Sequence, residues 1–147
     1  MDARIVGLTR YTKKGEPGEA LSAIMLLEGL GAEGDFHRGE EKQISILAVE
    51  THHWMEAQSE KGLCFGRFRE NILTEGLPLE TLKSGCHLSM GSAVIRISGQ
   101  RKECFSDCGR FSKGQPCRLF ESAAFAQVEK SGIVRINDPV IILPPTF

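Results

Sequence analysis

Three cysteines, Cys104, Cys108 and Cys117, stand close together in the last third of the chain, and two basic residues, Arg101 and Lys102, come just before the first of them. A cysteine reacts as its thiolate, and a neighbouring Lys or Arg side chain stabilises that anion. The pattern therefore predicts an activated thiol at Cys104, directly after a stretch that has the pattern of a β-strand. The alternative is that small, easily buried cysteines fill gaps in a core.

The cluster also allows two other roles, while the isolated Cys64 and Cys86 are expected to be core thiols. Cys108 and Cys117 could resolve a persulfide or disulfide formed on Cys104, or join it on a metal ion. The spacing Cys-x3-Cys-x8-Cys departs from that of zinc ribbons, in which cysteines about two to four residues apart occur in two pairs. His87 could be a fourth ligand, but nothing in the sequence brings it near. A metal site is therefore the weaker prediction.

A glycine-rich loop carries a second group of candidate residues. Three glycines fall within the six residues 29–34, which indicates backbone turns that other residues resist. The N–H groups of such a loop can approach an anion closely. Asp35 and His37 follow these glycines and could contact a cofactor or orient a proton transfer. Alternatively, Asp35 closes a local Asx turn and His37 lies on the surface.

Two further pairs of polar residues are less informative. Glu70 and Asn71 either line the same pocket or hydrogen-bond a loop, and the structural role is slightly favoured. His52 and His53 fall outside or at the edge of the apolar arc of a predicted helix, so we expect them to be solvated rather than to act as ligands.

Length and composition place limits on the class of protein. The chain has 147 residues, of which 41% are apolar and 25% charged, and we expect a single domain over 1–147. The net charge of −1 argues against a broad basic surface for nucleic acid. The N-terminus lacks the pattern of a secretory signal, and no apolar run approaches the roughly 20 residues that span a bilayer. With no export signal and an odd number of cysteines, we expect reduced thiols and a cytoplasmic location.

Hydrophobic periodicity predicts a mainly β protein with few helices. An amphipathic helix is predicted from Leu47 to about Ser59, with Ser45 as a candidate cap. A second helix is predicted over 119–130, and one helical turn over 78–83. The predicted strands lie at 3–10, 22–28, 43–47, 86–90, 93–98, 133–136 and 140–143, with a further one within 67–75. Many short strands separated by glycine-rich turns favour a closed or partly closed β-barrel with a few short helices.

Several segments carry, in order, a likeness to a known family. They are GAEGDFH at 31–37, KQISIL at 42–47, RENILTEGLPLETLKSG at 69–85, HLSMGSAVIRI at 87–97 and KEC at 102–104. The tail FAQVEKSGIVRINDPVIIL is similar to the closing hairpin of the small members. Together these segments resemble the MOSC domain, the C-terminal module of molybdenum-cofactor sulfurases, in a small stand-alone form of the bacterial type.

The resemblance implies a fold and a chemistry. The fold would be a MOSC β-barrel, similar to the pyruvate-kinase barrel. The residue matching Cys104 would carry sulfur as a persulfide, received from a cysteine desulfurase or another donor. In the fused enzymes a separate PLP-dependent domain makes that sulfur, and since this chain has no room for one, no PLP site is expected. Small forms are thought to act with molybdenum-cofactor biosynthesis proteins or molybdoenzymes.

The chain departs from the family pattern at three places. Lys42 stands where the family usually has Arg. The closing Gly-Asp pair is Asn137-Asp138 here, and the Cys-His-x-x-Cys of some small forms is Cys104-Phe105-Ser106-Asp107-Cys108. The missing His leaves a metal site without an obvious fourth ligand.

The leading hypothesis is therefore a molybdenum-cofactor-binding protein that delivers sulfur through Cys104, with possible sulfurtransferase-type activity alongside a partner desulfurase. Arg101, Lys102, Asp35 and His37, with Glu70 and Asn71, would bind a molybdopterin-type cofactor. The alternatives are a passive binding module for the cofactor or molybdate, and a zinc-stabilised domain using the clustered cysteines. No partnership with nucleic acid or membrane is expected.

Overall fold

The computed structural model describes residues 3–36, 39, 42–59, 61–62, 68–98, 108, 113–114 and 117–144. These ranges contain eleven strands, two α-helices and one short 3-10 helix. The strands are β1 Ala3–Arg10, β2 Glu19–Ala20, β3 Ala23–Leu27, β4 Gly31–Ala32, β5 Ile44–Ala48, β6 Ile72–Glu75, β7 His87–Met90, β8 Ala93–Ile97, β9 Ala124–Lys130, β10 Gly132–Arg135 and β11 Pro139–Ile142. The helices are α1 Val49–Ala57, α2 Arg118–Ser122 and the 3-10 turn Leu79–Thr81.

Seven of the strands close into a barrel. Their order around it is β1-β6-β5-β9-β8-β7-β11, and β11 then pairs with β1 to complete the ring. The pairing of β5 with β6 is parallel and the other pairings in the ring are antiparallel. The predicted β-barrel is confirmed, and it is closed.

A second, three-stranded sheet packs against this barrel. Its order is β10-β3-β4, and both pairings are antiparallel. Leu26, Ala32 and Val134 from this sheet are fully buried in the same apolar cluster as the barrel residues Ile5, Ile46 and Ile95. The sheet therefore covers part of the barrel core and extends it.

Alternation along the strands decides which side chains enter that core. On β5, Ile44, Ile46 and Ala48 belong to the main cluster, whereas Leu47 belongs to a smaller cluster with Met55 and Leu119. Successive side chains of a strand point to opposite faces, so Ser45 and Leu47 lie on the outside of the barrel. This outer face is where α1 and α2 pack.

Two glycines are required by their surroundings. Gly31 has φ 120°, and a Cβ there would lie 2.9 Å from the Gln43 carbonyl oxygen. Gly91, in the predicted turn between β7 and β8, has φ 58°, and a Cβ would lie 2.2 Å from the Ile133 carbonyl oxygen. L-residues with side chains rarely adopt such conformations, so these turns need glycine on both conformational and steric grounds.

The helix predictions were right for the first helix and wrong for most of the second. Thr51 and Met55 of α1 are buried, as the apolar arc predicts. Ser45 is not its cap, because the cap position is Ala48 and Ser45 lies within β5. The helix predicted over 119–130 stops at Ser122, and Ala124–Lys130 is strand β9. Ala124, Ala126 and Val128 alternate into the barrel, and this tertiary requirement overrides the helical propensity of the alanines.

Candidate functional site on the outer wall of the barrel

The predicted reactive segment lies outside the described residues. This applies to Cys104, to the basic pair Arg101 and Lys102, to His37 and to Cys64. Residues on either side of the cysteine segment are described. The Ser98 N–H donates to the Phe125 carbonyl oxygen, and Cys117 packs against the smaller apolar cluster on the outside of β5. We call the outer face formed by Ser45, Leu47, Asn71, Leu73 and Phe125 the β5–β6 wall.

A buried polar network lies at one end of the β5–β6 wall. Asn71, 1% exposed, donates through Nδ2 to Asp35 Oδ1 at 2.9 Å, and its Oδ1 accepts from the Ser45 N–H at 3.0 Å. Asp35, 3% exposed, also accepts from the Tyr11 N–H at 2.8 Å. Buried polar groups must be paired, and here the Asn71 amide and the Asp35 carboxylate pair with each other and with the backbone N–H groups of Ser45 and Tyr11. They join the glycine-rich loop to the ends of β1 and β5.

Asp35 therefore does more than close a local Asx turn, because it also bonds to distant parts of the chain. Asp35 accepts hydrogen bonds from Tyr11 and Asn71, which are distant in the sequence, so these bonds are tertiary. Asn71 holds a structural position, in agreement with the role favoured from the sequence. Whether either residue also contacts a cofactor stays a prediction.

Glu70 lies beside this network and reaches helix α1. Its Oε1 is 2.6 Å from His52 Nε2, and its carbonyl oxygen accepts from the Tyr11 hydroxyl at 3.2 Å. The hydrogen bond that His52 makes to the Glu70 carboxylate raises the pKa of His52, against the lowering effect of burial. Burial, followed by the charge of Glu70, raises the pKa of Tyr11.

The expectation that both histidines are solvated is wrong for His52. Its side chain is 33% exposed and is hydrogen-bonded, whereas His53 is exposed. Sequence reasoning missed the pair because Glu70 follows His52 by 18 residues, and no local periodicity connects them.

Cationic side chains lie over aromatic rings on the same wall. Lys42 Nζ is 4.5 Å from the centre of the Phe125 ring, and the guanidinium carbon of Arg69 is 5.8 Å from the centre of the Tyr11 ring. Phe68 packs edge-on against Phe125, with ring centres 6.1 Å apart. Both cations are within the range of cation–π attraction. Lys42 therefore places a positive charge over an aromatic ring of the wall.

The described cysteines differ in their surroundings. Cys117 is part-buried and contacts the cluster of Leu47, Met55 and Leu119. Cys108 is also part-buried. Cys86 packs against the main core, as predicted, and burial raises its pKa. Within the described ranges no group of three or more His, Cys, Asp or Glu side chains could hold a metal ion. Since Cys104 lies outside those ranges, the zinc hypothesis stays a prediction.

Comparison with protein families decides the identity of this fold. The model of the MOSC domain matches residues 33–141. The chain belongs to the MOSC domain family. The match includes Asp35, Lys42, Asn71 and the cysteine segment, and the family is associated with the molybdenum cofactor. A comparison with curated proteins gave no match.

Solved structures share the fold of this MOSC domain at low sequence identity. The YuaD protein from Bacillus subtilis matches with a TM-score of 0.70 and 21% identity, over 95% of this chain and 94% of that chain. YiiM from Geobacillus stearothermophilus matches with a TM-score of 0.66 and 18% identity, over 97% of this chain and 75% of that chain. YiiM from Escherichia coli matches with a TM-score of 0.63 and 21% identity, over 96% and 70%. These likenesses establish the architecture.

None of the helices within the described ranges is long and apolar enough to cross a bilayer.

Proposed function

We propose that this MOSC protein binds a molybdopterin-type cofactor at the β5–β6 wall and carries sulfur as a persulfide on Cys104. The observation that supports the proposal most directly is the family match over 33–141, which includes Cys104 and the residues that form the wall. The cytoplasmic location and the partners, a cysteine desulfurase as donor and molybdenum-cofactor biosynthesis proteins or molybdoenzymes as acceptors, belong to the same proposal.

Described residues before and after Cys104 in the sequence have contacts at this wall. Ser98 is hydrogen-bonded to Phe125, whose ring packs against Phe68 and beneath Lys42. Cys117 contacts the apolar cluster outside β5. Ser98 and Cys117, described residues before and after Cys104 in the sequence, therefore both contact residues of the wall or of the cluster that covers it.

The charges and rings of the wall fit the chemistry of the cofactor. A molybdopterin-type group combines a phosphate with a flat ring system. Lys42 and Arg69 offer positive charge, and Phe68, Phe125 and Tyr11 offer aromatic surface. Arg suits a forked phosphate contact and Lys a point charge. Arg101 and Lys102 would add to this charge, while buried Asp35 and Asn71 fix the loops that present it.

The proposed sulfur step requires a thiolate and a donor persulfide. The Cys104 thiolate attacks the terminal sulfur of the donor R–S–SH; a new S–S bond forms, the S–S bond of the donor breaks, and R–S⁻ leaves. Cys104 then holds –S–SH. On delivery, an acceptor nucleophile takes the terminal sulfur and Cys104 leaves as its thiolate.

Intact-mass analysis after incubation with a cysteine desulfurase and its cysteine substrate tests the step. We expect a gain of one sulfur atom on the wild type, removed by a thiol reductant and absent from Cys104→Ser. Cys86→Ser is the matched control, because this thiol packs against the core, and it should gain sulfur like the wild type. A wild type that gains no sulfur, or a Cys104→Ser variant that gains it equally, contradicts the carrier role.

A passive binding module is the second candidate, and the cations over aromatic rings favour it independently of any thiol. Two measurements separate the passive module from the sulfur carrier: the cofactor affinity of Cys104→Ser, and sulfur transfer by the wild type. A passive module retains its affinity and shows no sulfur transfer in the wild type, whereas a carrier transfers sulfur only when Cys104 is present.

Metal analysis of the purified protein tests the zinc alternative, which requires stoichiometric metal and loss of the fold on chelation.

A further inference from the structure

Tyr11 connects the glycine-rich loop to the segment that leads into β6. It is 7% exposed, its N–H donates to Asp35 Oδ1 at 2.8 Å, and its carbonyl oxygen accepts from the Phe36 N–H at 2.8 Å. At the other end of the residue, the hydroxyl donates to the Glu70 carbonyl oxygen at 3.2 Å. The ring is therefore fixed from both ends by groups that are distant from it in the sequence.

Arg69 lies over a face of this ring. Its guanidinium carbon is 5.8 Å from the ring centre, and Arg69 is exposed while Tyr11 is buried. The backbone of Arg69 is held as well, because the Ser45 hydroxyl donates to the Arg69 carbonyl oxygen at 2.7 Å. Both ends of this long side chain are therefore restrained by contacts with the rest of the protein.

Arg69 forms no ion pair within the described ranges. Three other arginines of these ranges each pair with a glutamate. The neighbouring Glu70 carboxylate is instead bound to His52, with 2.6 Å between Oε1 and Nε2. No described carboxylate therefore engages the planar fork of N–H donors on Arg69, and such a fork suits a two-point contact with a phosphate.

We infer that Tyr11 is a positioning residue, whose ring holds the Arg69 guanidinium in place for the phosphate group of the ligand. The inference rests on the proposed function, which assigns a molybdopterin-type cofactor to this wall. The phosphate contacts Arg69 and not Tyr11, because the ring is buried beneath the guanidinium. The face of an aromatic ring attracts a cation electrostatically, and this attraction keeps the guanidinium on the ring.

Preorganisation is the reason that the ring affects affinity. A mobile arginine loses its side-chain freedom when it binds a ligand, and ordering one such side chain weakens a complex about two- to tenfold. An arginine that already rests on a fixed ring avoids most of this loss. The ring also stays neutral near pH 7, because burial, followed by the charge of Glu70, raises the pKa of Tyr11. The positive charge of Arg69 is therefore not cancelled by a phenolate.

Titration with inorganic phosphate, followed through the Arg69 Nε–H resonance in NMR spectra, tests the inference. The ring current of Tyr11 should displace this resonance in the wild type, and phosphate should shift it further. Tyr11→Leu should lose the displacement and weaken phosphate binding about two- to tenfold. Tyr11→Phe keeps the ring, so it should retain the displacement and bind phosphate within about twofold of the wild type.

A double-mutant cycle separates positioning from a general loss of structure. Arg69→Gln should weaken phosphate binding, and adding Tyr11→Leu should weaken it no further, because the ring acts through the guanidinium. Arg135→Gln is the matched control, since it removes the same charge from an exposed position on β10, and it should bind phosphate like the wild type. The inference is wrong if Tyr11→Leu weakens binding equally with and without Arg69, or if Arg69→Gln keeps full affinity.

If circular dichroism shows that Tyr11→Leu is unfolded, the wild-type titration decides the outcome. Phosphate must then shift the Arg69 resonance, at an ionic strength kept constant with sodium chloride, while the ring-current displacement persists. Loss of the displacement on binding would show that the ligand draws the guanidinium away from the ring. A response to molybdate without one to phosphate would overturn the assignment to a phosphate group.

The two proposals fail in different ways. A wild type that takes sulfur on Cys104, but shows no phosphate response at Arg69, keeps the carrier role and rules out the positioning role of Tyr11. A wild type that shows the coupled response of Tyr11 and Arg69, but takes no sulfur and binds no molybdopterin-type cofactor, keeps the phosphate-binding pair and rules out the proposed function.

Discussion

Asn71 connects three parts of the polypeptide through one side chain. It donates to Asp35 in the glycine-rich loop and to the Thr9 carbonyl oxygen on β1, and it accepts from the Ser45 N–H on β5. Asn71 is only 1% exposed, so water cannot easily replace these hydrogen-bond partners. An unpaired polar group left in such a place costs about 1–3 kcal/mol, so the amide is needed by the groups around it.

Asn71→Ala should therefore lower the free energy of unfolding by about 2–4 kcal/mol, because it leaves the buried Ser45 N–H without the Asn71 acceptor and removes one of the donors to Asp35 Oδ1. Urea denaturation measures the change. Ser84→Ala, at an exposed turn, is the control and should change it by less than about 0.5 kcal/mol. Equal stability of the two variants would show that the network is not structural.

At the scale of single residues, the sequence drew attention to certain polar positions but did not predict what they contact. Asp35, Glu70 and Asn71 were recognisable as unusual polar residues, and the structure brings them to one wall. The partners Tyr11, Ser45 and His52 were not recognisable. The bonds of Tyr11 to Asp35, Ser45 to Asn71 and His52 to Glu70 span 24, 26 and 18 residues, and such distances along the chain have no periodic signal.

At the scale of elements, the His52–Glu70 bond fastens α1 to the segment that leads into β6. The folded state raises the pKa of His52 above its value in the unfolded chain. The stabilisation is therefore complete below the unfolded pKa of about 6.5 and is lost as the pH rises through the higher folded pKa.

We expect the stability difference between the wild type and His52→Gln to be largest below about pH 6.5 and to shrink as the pH rises through the raised pKa of folded His52. The effect is moderate because the pair is part-exposed and screened by solvent. Urea midpoints at a series of pH values measure it. His53→Gln should follow the wild type throughout, and a difference that grows with pH would contradict the assignment.

Strand β9 shows where local pattern and tertiary demand disagree. The run Leu119-Phe120-Glu121-Ser122-Ala123-Ala124 favours a helix, and a helix does form from Arg118 to Ser122. Beyond it, Ala126 pairs with Ile44 of β5 and Ile97 of β8. The barrel closes only if a strand lies between β5 and β8. This requirement comes from the complete ring of strands and cannot be predicted from the local sequence. The strands β1, β3 and β8 were predictable because their alternation is local.

Ala126→Leu and Glu129→Leu distinguish the strand from a helix. In a helix, positions three apart share a side, whereas in β9 Ala126 faces the filled core and Glu129 is exposed. Ala126→Leu should cost about 1–3 kcal/mol or more through overpacking. Glu129→Leu should cost less than about 1 kcal/mol, the value of its surface ion pair with Arg96. Similar costs, measured by urea denaturation, would contradict the strand.

At the scale of the whole molecule, the barrel and the three-stranded sheet share one core. Leu26 and Val134 of the small sheet are fully buried in the cluster that contains Ile5 and Ile95 of the barrel. The Gln43 side chain also joins the two parts, because it donates to the Gly29 carbonyl oxygen and accepts from the Val128 N–H. A shared core favours cooperative unfolding, and this gives a physical test of the prediction that the chain is one domain.

Leu26→Ala should lower the stability of the barrel as well as that of the sheet that carries it. The expected cost is about 2–5 kcal/mol, since a fully buried leucine is removed from the common core. Far-UV circular dichroism follows the strands, and fluorescence of Trp54, the single tryptophan, follows helix α1 on the far side of the barrel wall. The two probes should shift together to the same lower urea midpoint, and Leu30→Ala, at a 43% exposed position, should move neither by much. If Leu26→Ala instead shifted the circular dichroism and left the Trp54 transition in place, the small sheet would be an independent unit.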